Sequence, residues 1–177
     1  MENESVNGQA RKNLLGQDPA ALMRRAIALA QSAREKGNHP FGALLAAPNG
    51  TVLLEAENTV TEDHDETSHA ELNLISAANR KLAPANRRQA IMYASTEPCA
   101  MCAGAAFWSG IRTVVYGLSE EGLYEITTEG RTDPAVLKLG CREVFAAATH
   151  ATSVVGPLLE EEAREPHLAF WNRLPRP

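Results

Sequence analysis

Cysteine, aromatic side chains, surplus positive charge and long apolar runs are all scarce in this 177-residue chain. Three cysteines are too few for a disulfide framework, and two of them stand in a Cys-x-x-Cys spacing that favours metal or redox work in an intracellular protein. The third, Cys141, reads as a buried thiol. The longest apolar runs, such as Phe41 to Ala47, stop far short of the roughly 20 residues that a membrane span requires. Met1 to Asp18 lacks the apolar centre of a secretory signal, so a cytoplasmic protein without a membrane partner is expected. Lys and Arg number 17 against 22 Asp and Glu, a formal net charge of −5 with a pI near 5.6. That balance speaks against a broad phosphate-binding face, which needs clustered basic residues to displace counterions. Nucleic acid is therefore not an expected partner, and a small-molecule substrate is. The local exception, Arg80, Lys81, Arg87 and Arg88, reads as solvated loop surface.

What is present is ordinary globular composition, with 44% hydrophobic and 22% charged residues, enough for one domain with a substantial core. Residues 1–17 are polar and aperiodic, a flexible arm, and 18–177 make the single domain. Asp18 and Pro19 mark a helix start, Leu22, Ala26, Leu29 and Ala33 share one face, and Gly37 ends it. Phe41 to Ala47 and Thr51 to Ala56 flank the turn Pro48-Asn49-Gly50 and predict an antiparallel hairpin. A polar loop from Glu57 to Thr67 follows, then a helix opening at His69 with Ser68 or Thr67 as its cap. Gln89 to Ser95 reads as a strand, Cys99 to Ser109 as a helix of small residues, and Ile111 to Tyr116 as a strand parallel to the previous one. Gly117 to Leu137 reads as a loop over the site with a short helix from Asp133. Glu143 to Ala147 and Thr152 to Val155 are weak strand candidates, and Pro157 to Leu174 reads as a closing helix.

Two stretches carry the chemistry: His69-Ala70-Glu71 and Pro98-Cys99-Ala100-Met101-Cys102. One imidazole and two thiols leave a tetrahedral Zn²⁺ one protein ligand short, and no second cysteine pair exists to complete a structural tetrad. One zinc per chain, held by His69, Cys99 and Cys102 with water in the fourth position, is expected. Glu71 ligates nothing in this scheme and stands in the same helical turn as His69, where it could move a proton between the water, a ring nitrogen and departing ammonia. Either stretch alone is weak, since Cys-x-x-Cys also serves redox pairs and His-x-Glu arises by chance. Their joint occurrence, each at a helix start, favours a catalytic site.

The pattern His-x-Glu followed by Pro-Cys-x-x-Cys resembles the cytidine deaminase-like superfamily of zinc deaminases, from the first helix to Trp171. The resemblance implies an α/β fold, a three-layer α/β/α sandwich with a mixed central sheet of about five strands. Pro40-Phe41-Gly42-Ala43, the pair Phe107-Trp108 and Asn58-Thr59-Val60-Thr61 are similar to the bacterial guanine deaminase branch more than to the tRNA adenosine deaminases. It implies substrate contacts from Phe41, Asn58, Ala70 and Trp108, although Phe41 and Trp108 also suit a core and Asn58 a turn. It further implies a homodimer whose segment Pro166 to Trp171 covers the site, and a second shuttling acid among Glu120, Glu121, Glu125, Glu129 and Asp133. The implied reaction is hydrolytic deamination of a free purine base, guanine to xanthine. The alternatives are adenosine-to-inosine editing of tRNA, or deamination of guanosine, cytosine or a small triazine. An inactive zinc-stabilised binding module is disfavoured by the presence of Glu71.

Overall fold

The computed structural model describes residues 17–128 and 136–171. Helix α1, Pro19–Glu35, starts where Asp18 Oδ1 accepts from Ala21 N at 3.1 Å and buries Leu22, Met23, Ala26, Ala30 and Ala33. Strands β1, Gly42–Ala46, and β2, Val52–Glu57, form the expected hairpin. Gly42 is needed there: a Cβ would stand 2.5 Å from Ala26 O and Ala30 N, so α1 lies directly on the start of β1. The chain continues through α2, Val60–Asp63, α3, Ala70–Lys81, and α4, Pro84–Gln89, into β3, Ile91–Thr96. Then come α5, Ala100–Ser109, β4, Thr113–Leu118, α6, Glu120–Thr128, α7, Cys141–Ala146, β5, Ser153–Val155, α8, Glu160–Arg164, and a 3-10 turn, Glu165–His167.

The sheet order is β2-β1-β3-β4-β5, with β1 antiparallel to both neighbours and β3, β4 and β5 mutually parallel. Gly110, at φ 86°, ends α5 and turns the chain into the parallel crossover. Strand alternation sends Leu44, Ala46, Ile91, Tyr93 and Val115 to one face, where they meet Leu22, Met23 and Ala26 of α1. Ala43, Leu45, Met92, Val114 and Tyr116 point the other way, onto Leu74 and Ala78 of α3, Ala103 and Ala106 of α5, and Phe145 of α7. Three layers and five strands match the expected α/β/α sandwich. No helix among the described residues is long and apolar enough to cross a membrane.

Four local expectations need correction. The polar loop from Glu57 contains α2, closed by the Thr59 hydroxyl on Asp63 with Val60 buried beneath it. Neither Ser68 nor Thr67 caps α3; Thr67 is engaged with Asp65 Oδ1 through its N and its Oγ1, and His69 itself takes the cap position. Gly117 to Thr128 is not a loop, because β4 runs to Leu118 and Ser119 Oγ accepts from Gly122 N at 3.1 Å to start α6. Glu143 to Ala146 is helical rather than extended, with Ala147 as the cap, since Cys141 and Phe145 face the core at a spacing of four and Glu97 Oε1 accepts from Cys141 N.

The closing helix is also shorter than expected. It breaks after α8, because Pro166 cannot donate and Ala169 takes φ 57°. The arm over 1–16, the helix expected from Asp133, the acids Glu129 and Asp133, and residues 172–174 lie outside the described residues.

Candidate active site

Strand β3 ends at Thr96, and Glu97-Pro98 deliver Cys99 to the cap position of α5, so the cluster forms at the carboxyl end of a parallel strand. His69 arrives from the opposite direction as the cap residue of α3, in extended backbone, with Asn73 N donating to its carbonyl at 2.9 Å. His69 Nδ1 lies 3.7 Å from both Cys99 Sγ and Cys102 Sγ, and all three donor atoms fall within 4.8 Å of one another. Zn–S bonds of about 2.3 Å and Zn–N bonds of about 2.0–2.1 Å at tetrahedral angles need N···S separations of roughly 3.6 Å, so the donor set fits zinc.

The three donors are electrostatically linked. Hydrogen bonds from Cys102 and from His69 hold the Cys99 thiol down at about 4, while sharing with that thiolate, and burial, push Cys102 up. The bond to Cys99 raises His69 in turn. Both cap positions also lie in the positive field of a helix N-terminus, which favours thiolate. Glu71, only 6% exposed, is a carboxylate that is not among the three gathered donors. Burial raises it to about 7, against the opposing pull of a backbone hydrogen bond and of His69. A carboxyl poised near neutrality can both accept and return a proton.

Phe41 stands just before β1, its ring 6.5 Å from that of His69 and inclined by only 12°. Asn58, fully buried, donates its backbone N–H to Phe41 O at 3.0 Å and accepts from Val60 N through Oδ1. Its Nδ2 has no partner among the described residues. Ala70 is buried with its methyl in the core beside Leu74, which leaves the backbone as its route to a ligand. The structure does not bring Trp108 to this group. Cys102, Ala103 and Ala106 take the inner face of α5, while Trp108, at the far end, is 85% exposed with its ring against Phe107.

Sequence reasoning missed three participants. Asn73 Nδ2 donates to Glu57 O and Thr59 Oγ1, both at 3.0 Å, tying the first turns of α3 to the loop that carries Asn58. Its place four residues after His69 was the available signal. Glu97 accepts from Cys141 N and Sγ and from Glu120 N, joining the starts of α6 and α7 to the ligand loop. His167, on the closing segment, packs its ring 5.1 Å from Phe41. Of the acids proposed for a second shuttle, Glu120 is half-buried, accepts from the Tyr124 hydroxyl and is raised by burial. Glu121 and Glu125 are exposed, the latter paired with Arg164.

Three gathered donors, one short of the four a tetrahedral zinc takes, beside a buried carboxylate mark a zinc-dependent hydrolytic enzyme, on a sandwich that presents them at strand ends. Comparison narrows the class. The chain belongs to the family described as the cytidine and deoxycytidylate deaminase zinc-binding region, which matches residues 17–118. It is therefore a zinc-dependent deaminase of a nucleobase or nucleoside. A "probable cytosine deaminase" of Schizosaccharomyces pombe is 42% identical over 161 residues, 89% of this chain and 95% of its own. The tRNA-specific adenosine deaminase of Bacillus subtilis is 33% identical over 152 residues, 86% of this chain and 88% of its own. In fold, the guanine deaminase of Nitrosomonas europaea superposes with a TM-score of 0.71 at 22% identity, covering 92% of this chain and 91% of that one.

Proposed function

We propose that the protein deaminates a free nucleobase, converting guanine to xanthine with release of ammonia. The observation that carries the reading is Asn58 beside Phe41: fully buried, with Oδ1 spent on Val60 N and Nδ2 without a partner among the described residues. A buried N–H donor left unsatisfied costs about 1–3 kcal/mol, which a carbonyl oxygen or ring nitrogen of a bound base would recover. The near-parallel rings of Phe41 and His69 offer a planar heterocycle a stacking partner, and the backbone at Ala70 a further donor.

His69, Cys99 and Cys102 would hold the zinc. Bound there, zinc supplies a water nucleophile effective near neutral pH and polarises the reacting centre. Glu71 takes one proton of the attacking water and delivers it to a ring nitrogen, then takes the proton left on the added oxygen and passes it to the amine, so that ammonia departs as the carbonyl forms. Phe41 and Asn58 orient the base so that its amidine carbon faces this machinery.

Cytosine is the second reading, favoured by the 42% identity to a relative of that description. An anticodon substrate fits less well, because Glu160, Glu161 and Glu162 form an acidic α8. On the outward side of α5, Met101 and Trp108 are exposed and Gly104 has nothing beside it, an apolar strip suited to a second copy in a homodimer. Ammonia release measured across guanine, cytosine, guanosine, adenine, small triazines and an anticodon stem-loop tests the proposal. Turnover of guanine well above all others supports it; turnover of cytosine alone moves the assignment to the second reading, and turnover of the stem-loop alone removes the free-base reading.

A further inference from the structure

His167 is fully buried, and neither the metal cluster nor the proposed proton path uses it. Its ring is held from both edges. The indole of Trp171 can only donate, so at 3.4 Å His167 Nδ1 accepts, which leaves the ring proton on Nε2, 3.2 Å from Thr96 Oγ1. Burial, with the Arg34 guanidinium nearby, presses the ring down to about 3 and keeps it neutral. Arg34 Nη1 also donates to Pro166 O at 2.7 Å, which ties the same segment to the end of α1.

Each contact of this imidazole leads towards the site. Thr96 ends β3, three residues before Cys99. His167 also meets Phe41 edge-on at 5.1 Å, and the ring of Trp171, hydrogen-bonded at its Nδ1 edge, lies 6.1 Å away with its plane 9° from that of the imidazole. Trp171 comes within 6.0 Å of Phe41 and 5.2 Å of His39. The segment thereby walls the side of Phe41 with aromatic rings, and a ribose pressed against such a wall would lose partners for its hydroxyls or displace the segment.

We propose that His167 is a positioning residue that pins Pro166–Trp171 across Phe41 and so sets the preference for a bare base over the same base carrying ribose. The selectivity half rests on the nucleobase reading above; the pinning half does not. The test uses the zinc-loaded enzyme and compares wild type with His167→Phe, which keeps a ring but loses both hydrogen bonds, and with His167→Gln, which restores a donor. Thr96→Val, which removes one partner, is the second route if His167→Phe does not fold. Steady-state kinetics on base and nucleoside are paired with hydrogen exchange of residues 165–171.

With zinc content retained, His167→Phe should raise KM for the base about tenfold, more than it lowers kcat, and cut the base-to-nucleoside ratio of kcat/KM about tenfold. Exchange in the segment should quicken by a similar factor, with Thr96→Val intermediate and His167→Gln partly restored. A wild-type ratio, or wild-type exchange, in zinc-loaded His167→Phe or Thr96→Val overturns the proposal. A wild-type enzyme that turns over no free base would fell the nucleobase reading and the selectivity with it. The exchange data would then still uphold or overturn the pin, so the two failures are distinguishable.

Discussion

The metal end of the site and its aromatic cover are built by different means. His69, Glu71, Cys99 and Cys102 sit within the first turns of two helices, and their placement follows once α3 and α5 dock on the sheet. The cover depends on contacts across long stretches of sequence: Thr96 to His167, Arg34 to Pro166, Phe41 to Trp171. Chemistry is thus encoded locally and enclosure globally. Substitutions at the metal end should remove turnover, whereas those at the cover should change which substrate is accepted and how stable the fold is.

The largest effect belongs to the donors. Cys102→Ala leaves two ligands, too few to hold the metal in a closed geometry, and should abolish stoichiometric zinc and with it turnover. Elemental analysis with an activity assay checks this, and full activity in that variant would dissolve the metal end as a unit. Asn58→Ala, midway between the two regions, should retain zinc and lower kcat/KM by about 10- to 100-fold, the value of one buried donor to a substrate acceptor. Steady-state kinetics on the preferred base provide the measurement.

The effect expected to leave turnover at neutral pH least changed concerns stability on the acid side, at the cover. His167 titrates near 6.5 in the unfolded chain but about 3 in the fold, so the unfolded state binds the extra proton between those values. Its contribution is complete above pH 6.5 and is lost as pH falls towards 3, by about 1.4 kcal/mol per unit. His167→Gln should flatten the fall in urea stability between pH 6 and 4 by about one proton. An unchanged slope would mean that the ring is not buried neutral.

The division between local and distant encoding also decides what could be read from the sequence. Asp18-Pro19, the Pro48-Asn49-Gly50 turn and the two ligand motifs carry their own local signals, and the structure places helix, hairpin and cluster accordingly. Helix α7 carries none, because the group that receives its first N–H is Glu97, 44 residues upstream. The start of α6 was in fact legible, with Ser119 before Glu120 and Glu121, but the mixed polarity beyond it hid the period. Trp108 shows the limit of motif transfer: its position along α5 follows from the pattern, yet the outward direction of its side chain follows from which small residues the core takes. Strand β5, three residues long, is recognised only through its pairing with β4.

The central claim is that Glu71 moves protons and does not hold the metal, and Glu71→Gln tests it most directly. The amide is nearly isosteric, so the protein should fold, bind one zinc per chain through His69, Cys99 and Cys102, and still bind the base through Phe41 and Asn58. General acid–base help is worth typically 10²–10⁴-fold, and the proposed role spans more than one transfer, so turnover should fall by about 10⁴-fold or more. Zinc content and single-turnover rate measured on the same preparation decide the matter. Full zinc with turnover near that of wild type would contradict the account and leave Glu71 as a helix-start carboxylate.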